Sequence, residues 1–173
     1  RFELEDLTDH KVDYPVLGRV DYGLGNNIYI TGDSYLPPYT TFAALQRAVD
    51  LVAPGGTVWA GDGVYYGATV VSQPGVTVRS GSSPILEAAP GSPAGQTLLT
   101  VTAPNVTVQD LIFHIDQTSA VIGIAAAAPN NFDNLQVTSN TFVATGPYSF
   151  NTAAVQVIGP GSGPVRTITL VGN

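Results

Sequence analysis

Cysteine is absent from this sequence. That excludes a disulfide framework, a thiolate metal site and a thiol nucleophile. Charge is scarce as well. Asp, Glu, Lys and Arg make up only 11% of the chain, against roughly one quarter in an ordinary soluble domain, and Lys11 is the single lysine. The balance is acidic, a net −7, so the basic surface that meets phosphates is missing. This argues against nucleic acid as a partner and disfavours anionic membranes. No apolar run approaches the roughly 20 residues of a membrane span. The longest small-residue stretch, Ile122 to Pro129, is mostly alanine. A signal-like segment is missing too: the chain begins at Arg1, as expected of a mature or trimmed form.

What is present is a chain of 173 residues, enough for one domain with a sizeable core. Its Val, Ile, Leu and Ala lie in short runs punctuated by 19 Gly and 13 Pro. Many short strands between Gly/Pro-rich turns indicate an all-β protein.

Two regions differ in character. Residues 1–34 hold seven of the thirteen acids and three of the six bases. Val12-Asp13-Tyr14 recurs as Val20-Asp21-Tyr22, and Asn27-Ile28-Tyr29-Ile30-Thr31 alternates like a strand. The expectation is an extended acidic arm with one or two strands, packed on the main body or on a neighbour. Gly23-Leu24-Gly25-Asn26-Asn27 is a turn, because a phosphate loop needs a lysine and a following helix. Residues 35–173 form the body. Phe42, Leu45, Val49 and Val52 share one helical face, Thr41 is a candidate N-cap, and Pro54-Gly55-Gly56 stops the helix. This predicts a helix over 41–53 with Gln46, Arg47 and Asp50 on its wet side.

Beyond it the apolar period falls from 3.6 to 2. Thr57-Val58-Trp59-Ala60 and Val64-Tyr65-Tyr66 are short strands. Pro74-Gly75-Val76-Thr77-Val78 then matches Pro104-Asn105-Val106-Thr107-Val108, Asp133-Asn134-Leu135-Gln136-Val137 and Arg166-Thr167-Ile168-Thr169-Leu170. Anchored on Val76, Val106, Leu135 and Ile168, the steps are 30, 29 and 33 residues. Thr97–Val101, Ala120–Ile124 and Ala153–Val157 supply a second set of strands. Unequal steps with in-register apolar pairs fit a solenoid, whose inward residues stack while its turns vary in length. Phe113 and Phe142 are equivalent and predict an aromatic stack. Asn140 and Asn173 are equivalent at the next turn, in a ladder that Leu111 interrupts. A β-sandwich is the rival, but it does not explain the repeat, and Asp62-Gly63 is the only hairpin-type dipeptide of its kind.

The segment Thr41-Phe42-Ala43-Ala44-Leu45-Gln46-Arg47-Ala48-Val49-Asp50, followed by Pro54-Gly55-Gly56-Thr57-Val58-Trp59-Ala60 and Gly63-Val64-Tyr65, resembles the N-terminal cap of pectate-lyase-like β-helix proteins. The later Leu-Gln-Val-Thr-Ser-Asn-Thr-Phe coil is similar to the repeats of that superfamily. The resemblance covers about residues 41–173. It implies a right-handed parallel β-helix with a short capping α-helix, in a secreted or cell-surface protein. It does not choose a function, because the same cap precedes lyases, hydrolases, epimerases, tailspikes and adhesins.

Enzymes of that superfamily imply paired carboxylates, or calcium ligands with a base. The body offers Asp62, Glu87, Asp110, Asp116 and Asp133, none of them paired along the chain, and each reads as a solvated turn carboxylate. Arg79 and Arg166 flank inward apolar residues and point outward. His114 and Asp116 share a strand face, but one pair makes neither a triad nor a metal site. His10 sits in the acidic arm beside Asp9. No catalytic residue, metal ligand or cofactor is assigned; calcium is compatible with the acidity but no ligand pattern supports it. Aromatic residues crowd the N-terminal third, and Tyr22, Tyr29, Trp59, Tyr65 and Tyr66 are candidates for glycan or partner contact, against core or interface packing.

The last repeat stops at Asn173, mid-unit, so the expected body is open at its C-terminal end. Further coils of the same protein, or another copy joined head to tail through the arm, are the alternatives. The expected function is a non-enzymatic structural or adhesive module. A polysaccharide lyase or hydrolase and a glycan-binding module without turnover are the competing readings.

Overall fold

The computed structural model describes residues 2–20, 26–116, 120–127, 131–145, 152–159 and 168–173. The body is an all-β parallel solenoid, a β-helix of about four turns. Each turn contributes one strand to each of three sheets. The first turn is β2 (Thr57–Ala60), β3 (Gly63–Tyr66) and β4 (Thr69–Val71). The second is β5 (Thr77–Ser80), β6 (Pro84–Glu87) and β7 (Gln96–Val101), and the third β8 (Thr107–Gln109), β9 (Ile112–Ile115) and β10 (Ala120–Ala127). The fourth is β11 (Leu135–Thr138), β12 (Thr141–Ala144) and β13 (Ala153–Ile158), and β14 (Ile168–Val171) starts another. The first sheet runs β1-β2-β5-β8-β11-β14, with β1 (Asn27–Ile30) added from the N-terminal segment. Every strand pairing among the described residues is parallel, which excludes the sandwich.

Alternation explains the stack. Ile28, Val58, Val78, Val108, Val137 and Leu170 lie in register, and the residue on either side of each faces outward. The predicted register of Val76, Val106, Leu135 and Ile168 holds: Leu135 pairs Ile168, and Thr107 and Gln136 donate to the carbonyls of Val76 and Val106. Just before these strands the turns stack as well. Gly55, Gly75, Asn105 and Asn134 all adopt left-handed φ, between 57° and 75°, and the amides of Gly55, Gly75 and Asn105 each bond to the coil above. Gly and Asn are the residues that occupy this region at least cost, so the Pro-Gly and Pro-Asn dipeptides of the repeat are turn chemistry.

Phe113 and Phe142 stack with centroids 5.0 Å apart. Asn140 accepts from the Leu111 amide and donates to the carbonyl of Val108 and the side chain of Asn173. The asparagine ladder is therefore two rungs long, as the sequence indicated.

The cap differs from expectation in detail. Helix α2 spans only Leu45–Leu51, its N-cap is Ala44, and Thr41 makes no cap. Residues 41–44 are drawn off by tertiary contact: the Tyr66 amide bonds to Ala43 O, and Phe42 packs edge-on against Tyr66. Leu45 and Val49 face the core with Val52, as the stripe predicts. Gln46 and Arg47 are not idle on a wet face. Gln46 bonds both the N–H and the C=O of Val70, and Arg47 donates to the carbonyls of Ser34 and Phe42. Residues 1–34 contain a second short helix, α1 (Phe2–Asp6), which packs on β1. No helix among the described residues is long and apolar enough to cross a membrane.

Candidate functional site

Among the described residues, four places gather chemistry-bearing side chains. The largest is an open cleft of about 440 Å³ beside the cap, lined by Gly32, Asp33, Tyr35, Thr41, Phe42, Asp62 and Tyr66 among others. Its floor depends on two glycines. Gly63 has φ 124°, and a Cβ there would stand 2.4 Å from the Gly32 Cα. The two backbones can approach only because neither carries a side chain. Three aromatic rings and two carboxylates thus share one concavity, a composition suited to stacking on a sugar ring while accepting its hydroxyls.

The second is a ladder on the outer face of the first sheet. Tyr29 and Trp59 are paired residues whose rings are nearly parallel, with centroids 6.3 Å apart. Arg79, in register above, sets its guanidinium 4.5 Å from the Trp59 ring and 3.8 Å from Asp110. Trp59 Nε1 donates to Asn27. This sets a cation over an indole face and beside a carboxylate on a partly exposed wall of the solenoid.

The third lies on the second sheet. His114 Nδ1 is 2.7 Å from Glu87 Oε1, and both line a polar hollow of about 120 Å³ with Ala88, Asp116 and Thr145. The sequence paired His114 with Asp116 along one strand; the stack gives it Glu87 from the coil before.

The fourth is buried. Glu5, His10 and Asp13 offer ligand-type atoms that all lie within 4.8 Å of one another. His10 Nε2 is 2.7 Å from Glu5 Oε2, the His10 amide donates to Asp13 Oδ2 at 2.8 Å, and Ser34 Oγ donates to Glu5 Oε1. Burial pushes Glu5 above its usual range, against the pull of His10. It raises Asp13 too, against the bond from the His10 amide. For His10, burial opposes the cation, but the bond and charge of Glu5, with the charge of Asp13, prevail and raise it.

Of the contact residues named from the sequence, Tyr66 lines the cleft and Trp59 lies on the outer ladder. Tyr65 is a correction. It is 1% exposed, and its hydroxyl is shared between the carbonyls of Ile30 and Gly61, tying the first corner of the solenoid together. Burial, with the charges of Asp6 and Asp62, raises its pKa far above the ordinary tyrosine value. Tyr29 is covered edge-on by Phe2, leaving 6% of it exposed. Tyr22 and Arg166 lie outside the described residues. Sequence reasoning missed Tyr35 and Phe42, whose signal was the aromatic density before the helix. It also missed Glu5 and Asp13, which carry no regular spacing to His10.

Fold and sites together define a capped parallel β-helix with polar and aromatic clusters beside its cap and on its side walls. No protein-family model matches the chain, and no curated protein or solved structure matches it.

Proposed function

We propose that this chain is the capped base of a non-enzymatic extracellular structural or adhesive β-helix, pectate-lyase-like in architecture. The observation that carries the reading is closure of the N-terminal end on all three sheets. Helices α1 and α2 pack on β1, the Ala43 carbonyl takes the Tyr66 amide at the edge of β3, and Gln46 satisfies Val70 at the edge of β4. Capped edges resist strand addition. The arm, expected to bridge to another copy, is engaged with its own chain through β1 and β2. Further stacking, by more of the same chain or by another copy, is left to the β14 side, where Leu170 and Val171 are more than half exposed. Light scattering and negative-stain microscopy on the chain test this. Monomers or closed pairs are expected, and filaments that lengthen with concentration would sink the one-ended reading.

The cleft favours a second reading, a glycan-binding module without turnover, because Tyr35, Phe42 and Tyr66 converge there with Asp33 and Asp62. Titration with neutral and acidic oligosaccharides should give binding that Tyr66→Ala abolishes and that Tyr39→Ala, at an exposed ring outside the cleft lining, leaves intact. Polysaccharide cleavage, with or without calcium, would instead place the chain among the carbohydrate-active enzymes.

A further inference from the structure

The N-terminal segment inverts the usual order of burial. Between residues 2 and 20 four residues are buried, and three of them are Glu5, His10 and Asp13; Val12 is the fourth. Three of its large apolar side chains point away, with Leu4 55%, Leu7 83% and Val16 72% exposed. Charged groups are the least often buried of all, and removing them from water is costly unless they are matched. A five-residue helix has no stability of its own to offset that cost. The segment is held to the cap by Phe2 against Tyr29, by the buried Val12 and by a polar centre, and the nature of that centre decides how firmly it is fixed.

We propose that Glu5, His10 and Asp13 form a structural site for a divalent metal ion of the zinc class, which staples the N-terminal segment to the first coil. The donor set is one imidazole and two carboxylates, each contributing an atom to a group no wider than 4.8 Å. Imidazole with carboxylate oxygen suits zinc and its neighbours, whereas calcium prefers six to eight oxygens and no imidazole. Charge supports the same choice. Two carboxylates facing a histidine leave a net negative centre in either histidine state, while a divalent cation on neutral histidine and two carboxylates brings it to zero. The chain delivers the donors from two places: Glu5 from α1, and His10 and Asp13 from a turn closed by bonds from the Asp13 and Tyr14 amides to the His10 carbonyl. Ser34 Oγ, 3.4 Å from Glu5, ties the centre to the segment leading into the cap.

The test uses the full chain, stripped with a chelator and titrated with zinc chloride in a calorimeter. One zinc per chain is expected. His10→Gln and Asp13→Asn should each weaken uptake by more than the roughly 10- to 100-fold typical of losing a supporting hydrogen-bond partner. His114→Gln, which alters the half-buried pair with Glu87, should leave it unchanged. Limited proteolysis provides the second readout: zinc should protect residues 2–20 in the native chain and fail to do so in Asp13→Asn, with the β-helix core resistant in both. Absence of zinc uptake by the native chain overturns the proposal. So does uptake that survives His10→Gln, or uptake that disappears with His114→Gln.

Discussion

At the scale of single residues, proton affinity follows from burial around His10. Glu5 and Asp13 are raised by desolvation, and His10 is raised because Glu5 and Asp13 outweigh its own desolvation. Asp9 adds to the effect on Asp13, while Arg19 works against it on His10. All three groups hold protons more tightly in the folded chain than in the unfolded one. The associated stability is therefore complete below the unfolded values and is lost as pH rises through the folded ones. In chelator-treated protein the N-terminal segment should be best protected from protease near pH ~4 and should loosen as pH climbs through the histidine range. A flat profile would mean that these groups titrate alike in both states. None of this is legible in the sequence. His10 has Asp9 as its neighbour along the chain, yet its partners stand five residues before and three after, across the end of a helix too short to show a period.

Elements are held by edge chemistry as much as by apolar stripes. The stripe of Leu45, Val49 and Val52 placed α2 correctly, because a buried face leaves a periodic trace. Its start was misplaced by four residues, since Phe42 and Ala43 answer to Tyr66, a partner more than twenty positions away. The role of Gln46 left no trace either. Its amide presents one acceptor and one donor to Val70, as a neighbouring strand would. Gln46→Ala should cost about 1 kcal/mol, the net value of a partly exposed pair of bonds. Hydrogen exchange at the Val70 amide should quicken while α2 itself persists. In a similar way Gly81→Ala would thrust a Cβ to 2.3 Å from the Phe2 ring. Phe2 can swing aside, so the expected result is release of α1 with little change in the coil.

For the whole molecule, the repeat made the long-range register readable from Val76 onward, because each inward residue must sit on its counterpart. The preceding coil escaped notice: Val58 and Val78 pair at a step of only 20 residues, as this turn lacks the longer loops of the later ones. Thr69–Val71 and Pro84–Glu87 were equally hidden, being too short to carry their own pattern, whereas the longer strands at Thr97–Val101, Ala120–Ile124 and Ala153–Val157 were read from the sequence. Neighbour-only contact shapes the energetics of such a stack. Phe113→Ala should cost about 3–5 kcal/mol through its cavity. Hydrogen exchange should show lost protection in β6, β9 and β12, with β1 and β2 spared. Uniform loss across the chain would indicate one cooperative unit instead of a chain of coupled coils.

The pairing of β1 with β2 also sets a timetable. Ile28 waits for Val58, thirty residues later, and no template exists until both are present. Closing that loop is an entropic toll met once. Each later coil then lays its strands onto an edge already in place. Folding of this chain should accordingly be slow to begin and quick to extend, with the rate governed by the cap and scarcely by the number of coils that follow.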